Sequence, residues 1–429
     1  MTTATERSAV QRRTLATLSA SQVLGGVGFS AGLAVGTLLA ESVSGRTELA
    51  GLGGTFQVIG GALLAIPMAQ RMATRGRGPG LVLGYGLAIV GALGLIAAAV
   101  IGSFPLLLAA SVLFGGATAS NNQTPYAAAD LARPEHRGRD LSLVVWATTV
   151  GSVLGPNLVS LAGPVSSVLH LPILAGPYAI SVLGFILAIA VLKLRLRPDP
   201  LIEARRLAAA QAAGTDEPAA TVHGSVGRGL RFVARHTGAR LGLLTQALGH
   251  AVMVSVMLMT PVHMREGHVG LQIIGLVISI HIVGMYAFSP LVGIAVDRFG
   301  SRRVALVGAG ILGAATILAS RSHSGETAGL TLALFLLGIG WSFTYVAGST
   351  LLTNATPATE RPGVQGASTL AMGLAGGGGG ALAGWVVGVS SYATLGLAAF
   401  TLAAVIAAFV VADLVRSPRG SDGADVTSG

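Results

Sequence analysis

The chain alternates between long apolar stretches and short polar ones. Each apolar stretch has roughly the 20 residues that a helix needs to cross the hydrocarbon layer of a membrane. Twelve transmembrane helices are predicted, at residues 14–40, 48–70, 80–102, 105–129, 140–163, 172–193, 239–263, 269–292, 303–320, 326–353, 364–388 and 393–413. The pattern therefore predicts an all-α membrane protein.

The longest polar interval lies between the sixth and seventh apolar segments and is predicted to be a cytoplasmic linker, 196–237. Six-helix bundles are expected on either side of it. The other predicted regions are the bundles 14–195 and 238–414, a cytoplasmic N-terminal tail 1–13 and a disordered C-terminal tail 415–429. Residues 201–213 of the linker fit either a short interfacial helix, with Arg205 and Arg206 toward lipid head groups, or a flexible connection.

Composition supports a membrane protein, because only 10% of the residues are charged and 52% are hydrophobic, against about 25% charged residues in soluble domains. The net charge of +10 comes from basic residues spread over short loops, which argues against a nucleic-acid partner. If Met1 is cytoplasmic, the outer loops hold only Arg46, Arg265 and Arg321. This asymmetry predicts that both termini face the cytoplasm. Without cysteine, disulfides and thiolate metal sites are excluded.

The first six segments share a pattern with the last six. Gln22 recurs as Gln246, 224 residues later, and at the same spacing Gln57 aligns with His281. Gly76 aligns with Gly300 in the same way. Several matches at one spacing predict two pseudo-symmetric six-helix bundles that enter the membrane from the same side.

One charged segment, GIAVDRFGSRR, lies where the eighth apolar segment gives way to the ninth, and we predict a turn there. It resembles the loop between the second and third helices of each half of major facilitator superfamily transporters. The residues that carry this resemblance are Gly293, Asp297, Arg298, Gly300, Arg302 and Arg303. The first half departs from the pattern, with Ala73 in place of the aspartate.

This resemblance implies the fold of that superfamily, with a substrate site near the membrane midplane between the halves. It also implies a gating latch that holds one access state, formed by Asp297, Arg298, Arg302 and Arg303. Asp297 has an alternative role, the electrostatic stabilisation of a neighbouring helix N-terminus. Residues 151–156 resemble part of the glycine-proline signature of antiporting members, which assigns Pro156 to gating as a helix kink.

Polar side chains in the middle of a span usually face the bundle interior or an aqueous cavity, so they are candidate site residues. The candidate substrate-binding residues on this ground are Gln22, Gln57, His250 and His281, with Gln246 as the repeat counterpart of Gln22. The superfamily resemblance implies that the fourth helix lines the cavity, which adds Asn121, Asn122 and Gln123. Trp341 and Tyr345, four residues apart on one helix face, and Trp146 are candidates for stacking on a substrate. His250 and His281 are also the candidates for proton coupling, because histidine titrates near neutral pH. The alternative for each histidine is a hydrogen bond to a neighbouring helix, without transport chemistry.

No Asp, Glu, Lys or Arg is placed near a span centre, which favours a neutral or weakly charged organic solute. We therefore expect a proton-coupled exporter that works by alternating access, and the alternative is proton-coupled uptake of a vitamin-like compound or metabolite. No enzyme motif occurs, and neither a cofactor nor a metal is expected. The expected partners are the lipid bilayer, a small-molecule substrate and the proton. We expect a monomer in the bacterial cytoplasmic (inner) membrane.

Overall fold

The computed structural model describes residues 4–46, 49, 52–158, 162–212 and 225–416 of the chain. Long α-helices account for most of this part. In the first half they are α1 (Ala4–Ser44), α2 (Leu52–Arg75), α3 (Arg77–Ile101), α4 (Phe104–Phe114), α5 (Gly116–Ala129), α6 (Arg137–Leu158), α7 (Ala162–Leu169) and α8 (Gly176–Arg195).

Two helices lie in the segment between the halves, and seven follow. They are α9 (Pro200–Ala212), α10 (Val226–Arg235), α11 (Thr237–Glu266), α12 (Leu271–Tyr286), α13 (Ser289–Phe299), α14 (Ser301–Arg321), α15 (Thr327–Asn354), α16 (Arg361–Val389) and α17 (Tyr392–Arg416). The segment predicted as a linker therefore contains helix α9 at the place where one alternative put it. The remainder of the predicted C-terminal tail, 417–429, lies outside the described residues.

Ten helices in the described part of the chain are long and apolar enough to cross a membrane, and the bent helix α1 raises the number to eleven. The fifth of the twelve predicted spans is represented by α6, which is helical up to Leu158, and residues 159–161 are outside the described part. The fold class predicted from the apolar segments, an all-α membrane protein, is confirmed.

The predicted turn at 293–303 is much shorter than expected. Helix α13 continues to Phe299 and α14 begins at Ser301, so that Gly300 is the single residue between them. Its φ of 84° is in a region that only glycine adopts readily. Gly76, with a φ of 91°, connects α2 to α3 in the same way. The charged residues of the motif consequently lie on the helix ends and not on a loop.

The chain forms two compact units, which do not follow the sequence halves throughout. Unit 1 comprises Met1–Leu131, Ala147–Leu230 and Ala358–Gly373, and unit 2 comprises Ala132–Trp146, Arg231–Pro357 and Leu374–Gly429. Helix α6 therefore begins in unit 2, and helix α16 begins in unit 1. The domain boundaries predicted at the linker stay a prediction.

Within unit 1, α1 and α3 pack against α8, and α4 and α5 pack against α2 and α3. An aromatic cluster lies where these helices meet. Phe114 contacts Phe29, Tyr178 and Phe185 with ring centroids 5.7–6.1 Å apart. Such aromatic contacts contribute beyond the apolar area that they bury. They fix α4 against the helices that surround it.

Within unit 2 the corresponding helices pack in the corresponding pairs: α11 and α14 against α17, and α15 against α11, α12 and α14. The repeat extends to close backbone contacts. In unit 1 a methyl group on Gly115 would overlap the Gln57 carbonyl oxygen, and in unit 2 one on Gly338 would overlap the His281 carbonyl oxygen. Small residues of this kind allow close helix packing in membranes. This shared arrangement is the structural counterpart of the two pseudo-symmetric halves seen in the sequence.

Candidate functional site

In unit 2 a cluster of polar and aromatic side chains joins helices α11, α12 and α15. Trp341 Nε1 donates a hydrogen bond to His250 Nδ1 at 3.1 Å. The Trp341 ring is stacked on Tyr345, with centroids 4.9 Å apart and planes at 8°, and Tyr286 meets it edge-on at 5.5 Å. The structure thus brings together three predicted site residues, His250, Trp341 and Tyr345, with one that the sequence analysis did not identify.

Tyr286 was missed because it lies within the eighth apolar segment, 269–292, and has no polar residue directly beside it in sequence. Helix α12 places it beside Trp341 only because α12 packs on α15. The one available signal was its position in the apolar stretch that also carries His281. A tyrosine in that setting is as typical of packing as of binding.

Gln246 lies one helical turn before His250, on the same face of α11. Its Oε1 accepts a hydrogen bond from the Ser349 hydroxyl at 3.1 Å, and its Nε2 donates to the Gly242 carbonyl at 3.3 Å. The side chain is buried. Gln246 therefore joins α11 to α15, and it lines the same helix interface as the His250–Trp341 pair.

His281 differs from His250 because it is completely buried. Its Nδ1 is hydrogen-bonded to the Leu334 carbonyl oxygen at 2.7 Å, and its Nε2 has no hydrogen-bond partner in the described residues. The bond connects α12 to α15 where the two backbones approach closely. This is the helix-to-helix hydrogen bond that formed the alternative interpretation of this residue, and a role in proton coupling stays a prediction.

The polar residues of unit 1 form a second cluster. Gln22 is buried, and its Nε2 donates to Thr148 Oγ1 at 3.0 Å and to the Asn121 carbonyl at 3.4 Å. Asn121 Oδ1 accepts a hydrogen bond from Tyr85 at 2.8 Å. Two predicted residues, Gln22 and Asn121, are thereby connected across α1, α5 and α6. Tyr85 and Thr148 were not identified from the sequence.

Four further candidates stand apart from these clusters. Gln57 and Asn122 are partly exposed. Trp146 is 41% exposed and belongs to neither polar cluster. Pro156 lies in α6, two residues before the described end of that helix, and its side-chain packing is outside the described structure. Their predicted roles stay predictions.

A buried charge cluster in unit 1 was not predicted. The Arg77 guanidinium is fully buried and pairs with Asp130, with Nε to Oδ2 at 2.7 Å. Arg361 on α16 contacts the other carboxylate oxygen, Oδ1, at 3.2 Å. One carboxylate therefore pairs with two arginines from different sequence halves. The available signals were Arg77 in the first-half copy of the charged motif and Asp130 at the end of a polar stretch of α5.

Gln123, a predicted substrate-binding residue, belongs to this cluster. Its Oε1 accepts from Arg77 at 3.3 Å, and its Nε2 donates to Thr369 Oγ1 at 2.8 Å and to the Gln365 carbonyl at 3.0 Å. Gln365 Oε1 also accepts from Arg77. All of its polar atoms are used within the protein. In this arrangement Gln123 connects α5 to α16.

The predicted latch residues are distributed over different contacts in unit 2. The Asp297 carboxylate accepts hydrogen bonds from the backbone N–H groups of Gly138 at 2.8 Å and Arg139 at 2.9 Å, in the first turn of α6. A carboxylate is stabilised there by the helix dipole. Arg302 pairs with Asp413 at 2.6 Å and Arg298 lies over the Phe299 ring. Arg303 is exposed. Asp297 thus has the second of its two predicted roles, and gating stays a prediction.

A model described as Major Facilitator Superfamily matches residues 18–271 and 241–427. The chain belongs to the Major Facilitator Superfamily. The family resemblance inferred from the charged motif is therefore confirmed. The protein is a secondary transporter of this superfamily. It is not an enzyme.

Its relatives in the superfamily include two proteins of Bacillus subtilis, the uncharacterized MFS-type transporters YddS and YdeG. Each is 36% identical over 408 residues, which cover 95% of this chain and 92% or 93% of the relative. The riboflavin transporter RfnT of Brucella anthropi is 28% identical over 370 residues, covering 84% of this chain and 85% of RfnT.

Solved structures of other superfamily members have the same fold. The human organic anion transporter MFSD10 matches with a TM-score of 0.72 at 16% identity, covering 93% of this chain and 99% of that one. The fucose:proton symporter FucP of Escherichia coli matches with a TM-score of 0.64 at 17% identity, covering 94% and 98%. At these identities the likeness shows the fold alone.

Proposed function

We propose that this superfamily member exports a small, neutral or weakly charged organic solute in exchange for protons, by alternating access. The observation that carries the proposal is the His250–Trp341 pair, which is polar, uncharged when the imidazole is neutral, and placed in the middle of α11 and α15. Polar groups at that depth are costly in a membrane and are associated with substrate and ion pathways.

The position of the charged side chains supports an uncharged solute. In the described part of the chain, the acidic and basic residues of the membrane-spanning helices lie near the helix ends, as Arg77, Asp130, Arg361 and Asp413 do. A fully charged solute in the middle of the membrane would need a compensating charge beside it. The groups that remain for proton coupling are His250, in the middle of α11, and His281, in α12. Protonation of either imidazole would add a positive charge at that place.

The proposed location is the bacterial cytoplasmic membrane, with both termini in the cytoplasm and the transporter acting as a monomer. The distribution of Lys and Arg over the loops supports this orientation. The lipid bilayer is then the surrounding partner, and the proton is the coupling ion.

Proton coupling is testable with purified protein in liposomes. We expect accumulation of a transported solute to rise several-fold when a pH gradient is imposed and to return to the basal level when a protonophore collapses it. Protein-free liposomes are the control for leakage. Unchanged transport after the gradient has collapsed would contradict the proposed coupling.

A second function is favoured by the relative RfnT, whose name is that of a riboflavin transporter. In this case the chain would take up a vitamin-like planar compound with protons. Growth of a deletion strain on limiting riboflavin, compared with its sensitivity to a panel of toxic organic compounds, separates uptake from export. A growth defect that riboflavin supply corrects would support uptake, and toxin sensitivity alone would support export.

A further inference from the structure

The hydrogen bond between Trp341 and His250 determines which tautomer the imidazole has. The indole N–H can only donate, so His250 Nδ1 must be the acceptor. A neutral imidazole with an accepting Nδ1 carries its hydrogen on Nε2. The hydrogen-bond donor that His250 can offer to another molecule is therefore its Nε2–H group.

That nitrogen points to a position that lacks a side chain. A methyl group on Gly376 would lie 2.9 Å from both Nε2 and Cδ2 of His250, so this edge of the ring packs closely against α16, at a position where a side chain would overlap it. His250 is partly exposed, and Trp341 Nε1 is the one hydrogen-bond partner of its ring within the described residues. The Nε2–H group has no acceptor within the described residues and, unlike Nε2 of His281, it is not fully buried, so it can donate to an incoming solute.

Aromatic rings adjoin this donor. Trp341 lies at 51° to the His250 ring, with centroids 6.2 Å apart, and the partly exposed Tyr286 stands perpendicular to Trp341. Aromatic faces and edges favour flat ring systems in offset or edge-on contact. A donor next to such rings selects a flat solute that carries a hydrogen-bond acceptor, such as a ring carbonyl.

We propose that His250, Trp341 and Tyr286 bind a planar, uncharged heteroaromatic solute through a hydrogen bond from His250 Nε2–H, and that a proton on His250 Nδ1 excludes this solute. Protonation would place two N–H donors 3.1 Å apart, so Trp341 must turn away and the aromatic surface is lost. Solute and proton then alternate at one site. The inference rests on the proposed proton exchange and adds to it the solute class and the residue at which exchange occurs.

Few other titratable groups lie near His250. Helix α15 contributes Tyr345 behind Trp341, and α12 contributes Tyr286 and the buried His281. Helix α16 presents Gly376, and on α17 Tyr392 is stacked on His263, more than three turns along α11. On α14, Arg302 is paired with Asp413 of α17. In the described part of the chain no acidic or basic side chain is paired with His250.

The test uses the purified full-length transporter and calorimetric binding of caffeine and coumarin, with glucose as the non-planar neutral control. We expect caffeine or coumarin to bind at mildly alkaline pH and to bind about tenfold or more weakly at mildly acidic pH, the effect of losing one buried hydrogen bond. In His250→Gln the amide oxygen still accepts from Trp341 and the amide NH₂ still donates, but nothing titrates. At both pH values this variant should bind within about threefold of the affinity that the wild type has at alkaline pH.

Several outcomes would overturn the proposal. If neither planar compound binds, the proposed solute class is wrong. If the pH dependence of binding persists in His250→Gln, or disappears instead in His281→Gln, then His250 is not the residue at which solute and proton exchange. These results are independent of proton coupling in liposomes, because binding is measured without a gradient. A transporter that binds caffeine with the expected pH dependence but shows no proton-driven flux would contradict the proposed function and leave the binding site in place.

A matched pair of glycine variants tests the geometry without changing His250. Gly376→Ala should weaken caffeine or coumarin binding about tenfold because its methyl group displaces the imidazole. Gly378→Ala, on the same helix, meets open space and should leave binding unchanged. Equal binding by the two variants would mean that the Nε2 side of His250 does not contact the solute.

Discussion

Replacing Asp130 by alanine is expected to destabilise the protein by about 3–5 kcal/mol and to abolish transport. The reason is that the change leaves Arg77 fully buried, and Arg361 nearly so, without the carboxylate that pairs with both of them. Removing one partner of a buried ion pair costs about this much, because the remaining charge has lost its hydration and its counter-charge. Thermal unfolding in detergent and solute transport in liposomes measure the two effects.

The matched control is Arg228→Ala. Arg228, on α10 in the segment between the halves, forms an ion pair with Glu360 of the second half at 3.2 Å, but its side chain is 49% exposed. Exposed pairs contribute about 0–1 kcal/mol. A similar loss of stability in both variants would show that burial of the Asp130 pairs is not what matters.

A triple variant separates stability from transport. Changing Asp130 to alanine together with Arg77→Met and Arg361→Met removes the whole charged set, and apolar replacement of buried charges is often neutral or stabilising. We expect this protein to recover much of its thermal stability and to remain inactive. Arg361 begins α16 in the second half of the sequence, whereas Arg77 and Asp130 belong to the first. We infer that this contact between residues of the two sequence halves takes part in gating, and full transport by the triple variant would contradict that inference.

Most of the fold was accessible from the sequence because membrane spans are long and uniformly apolar. The repeat added the pairing of helices, since Gln57 and His281 lie at matching places and their backbones make matching contacts with Gly115 and Gly338. What the apolar pattern did not indicate was where helices end. The turn assigned to residues 293–303 is reduced to Gly300. Charged residues at the membrane surface are as compatible with the end of a helix as with a loop, so they do not mark where the helix stops.

The site was less predictable, for a physical reason. Depth in the membrane identified Gln22, Gln246 and His250, but depth does not give the face of the helix that a side chain occupies. Arg205 is an example: it was expected at lipid head groups, yet its guanidinium donates to the Ala73 carbonyl at 2.9 Å. That interpretation was wrong because a backbone carbonyl at the end of α2 is a nearby acceptor. The Arg77–Asp130–Arg361 cluster was missed because its members are 53 and 231 residues apart.

The two repeats use different chemistry at the same structural place. In unit 2 the Asp297 carboxylate binds the first turn of α6. Ala73 occupies the equivalent position of the first repeat, where unit 1 instead packs Ala69, Val226 and Ala367 into an apolar cluster. The hydrogen bonds of Asp297 require a defined geometry between donor and acceptor, whereas the packing of the apolar cluster does not. We therefore expect transport to be more sensitive to substitutions at the α6 contact.

Gly293→Ala tests that contact and is expected to reduce transport at least about tenfold, with a loss of stability of about 1–3 kcal/mol from overpacking. A methyl group at Gly293 would lie 2.6 Å from the Gly138 carbonyl oxygen and would also overlap the Ser142 hydroxyl. Helix α13 would have to move away from α6, and Asp297 would lose its bonds to the Gly138 and Arg139 N–H groups. Transport in liposomes and thermal unfolding report the two effects.

Gly310→Ala is the control, because Gly310 is also helical and its added methyl group meets open space. Alanine is the better helix former, so this variant should be as stable as the wild type or slightly more so. Substituting Asp297 by asparagine in the wild type keeps the size of the side chain and removes the charge that the N-terminus of α6 favours. The contradicting outcome is that Gly293→Ala transports as well as Gly310→Ala while Asp297→Asn is inactive. The close approach of α13 to α6 would then not be required for transport. The Asp297 carboxylate would have to act at a place other than the α6 contact.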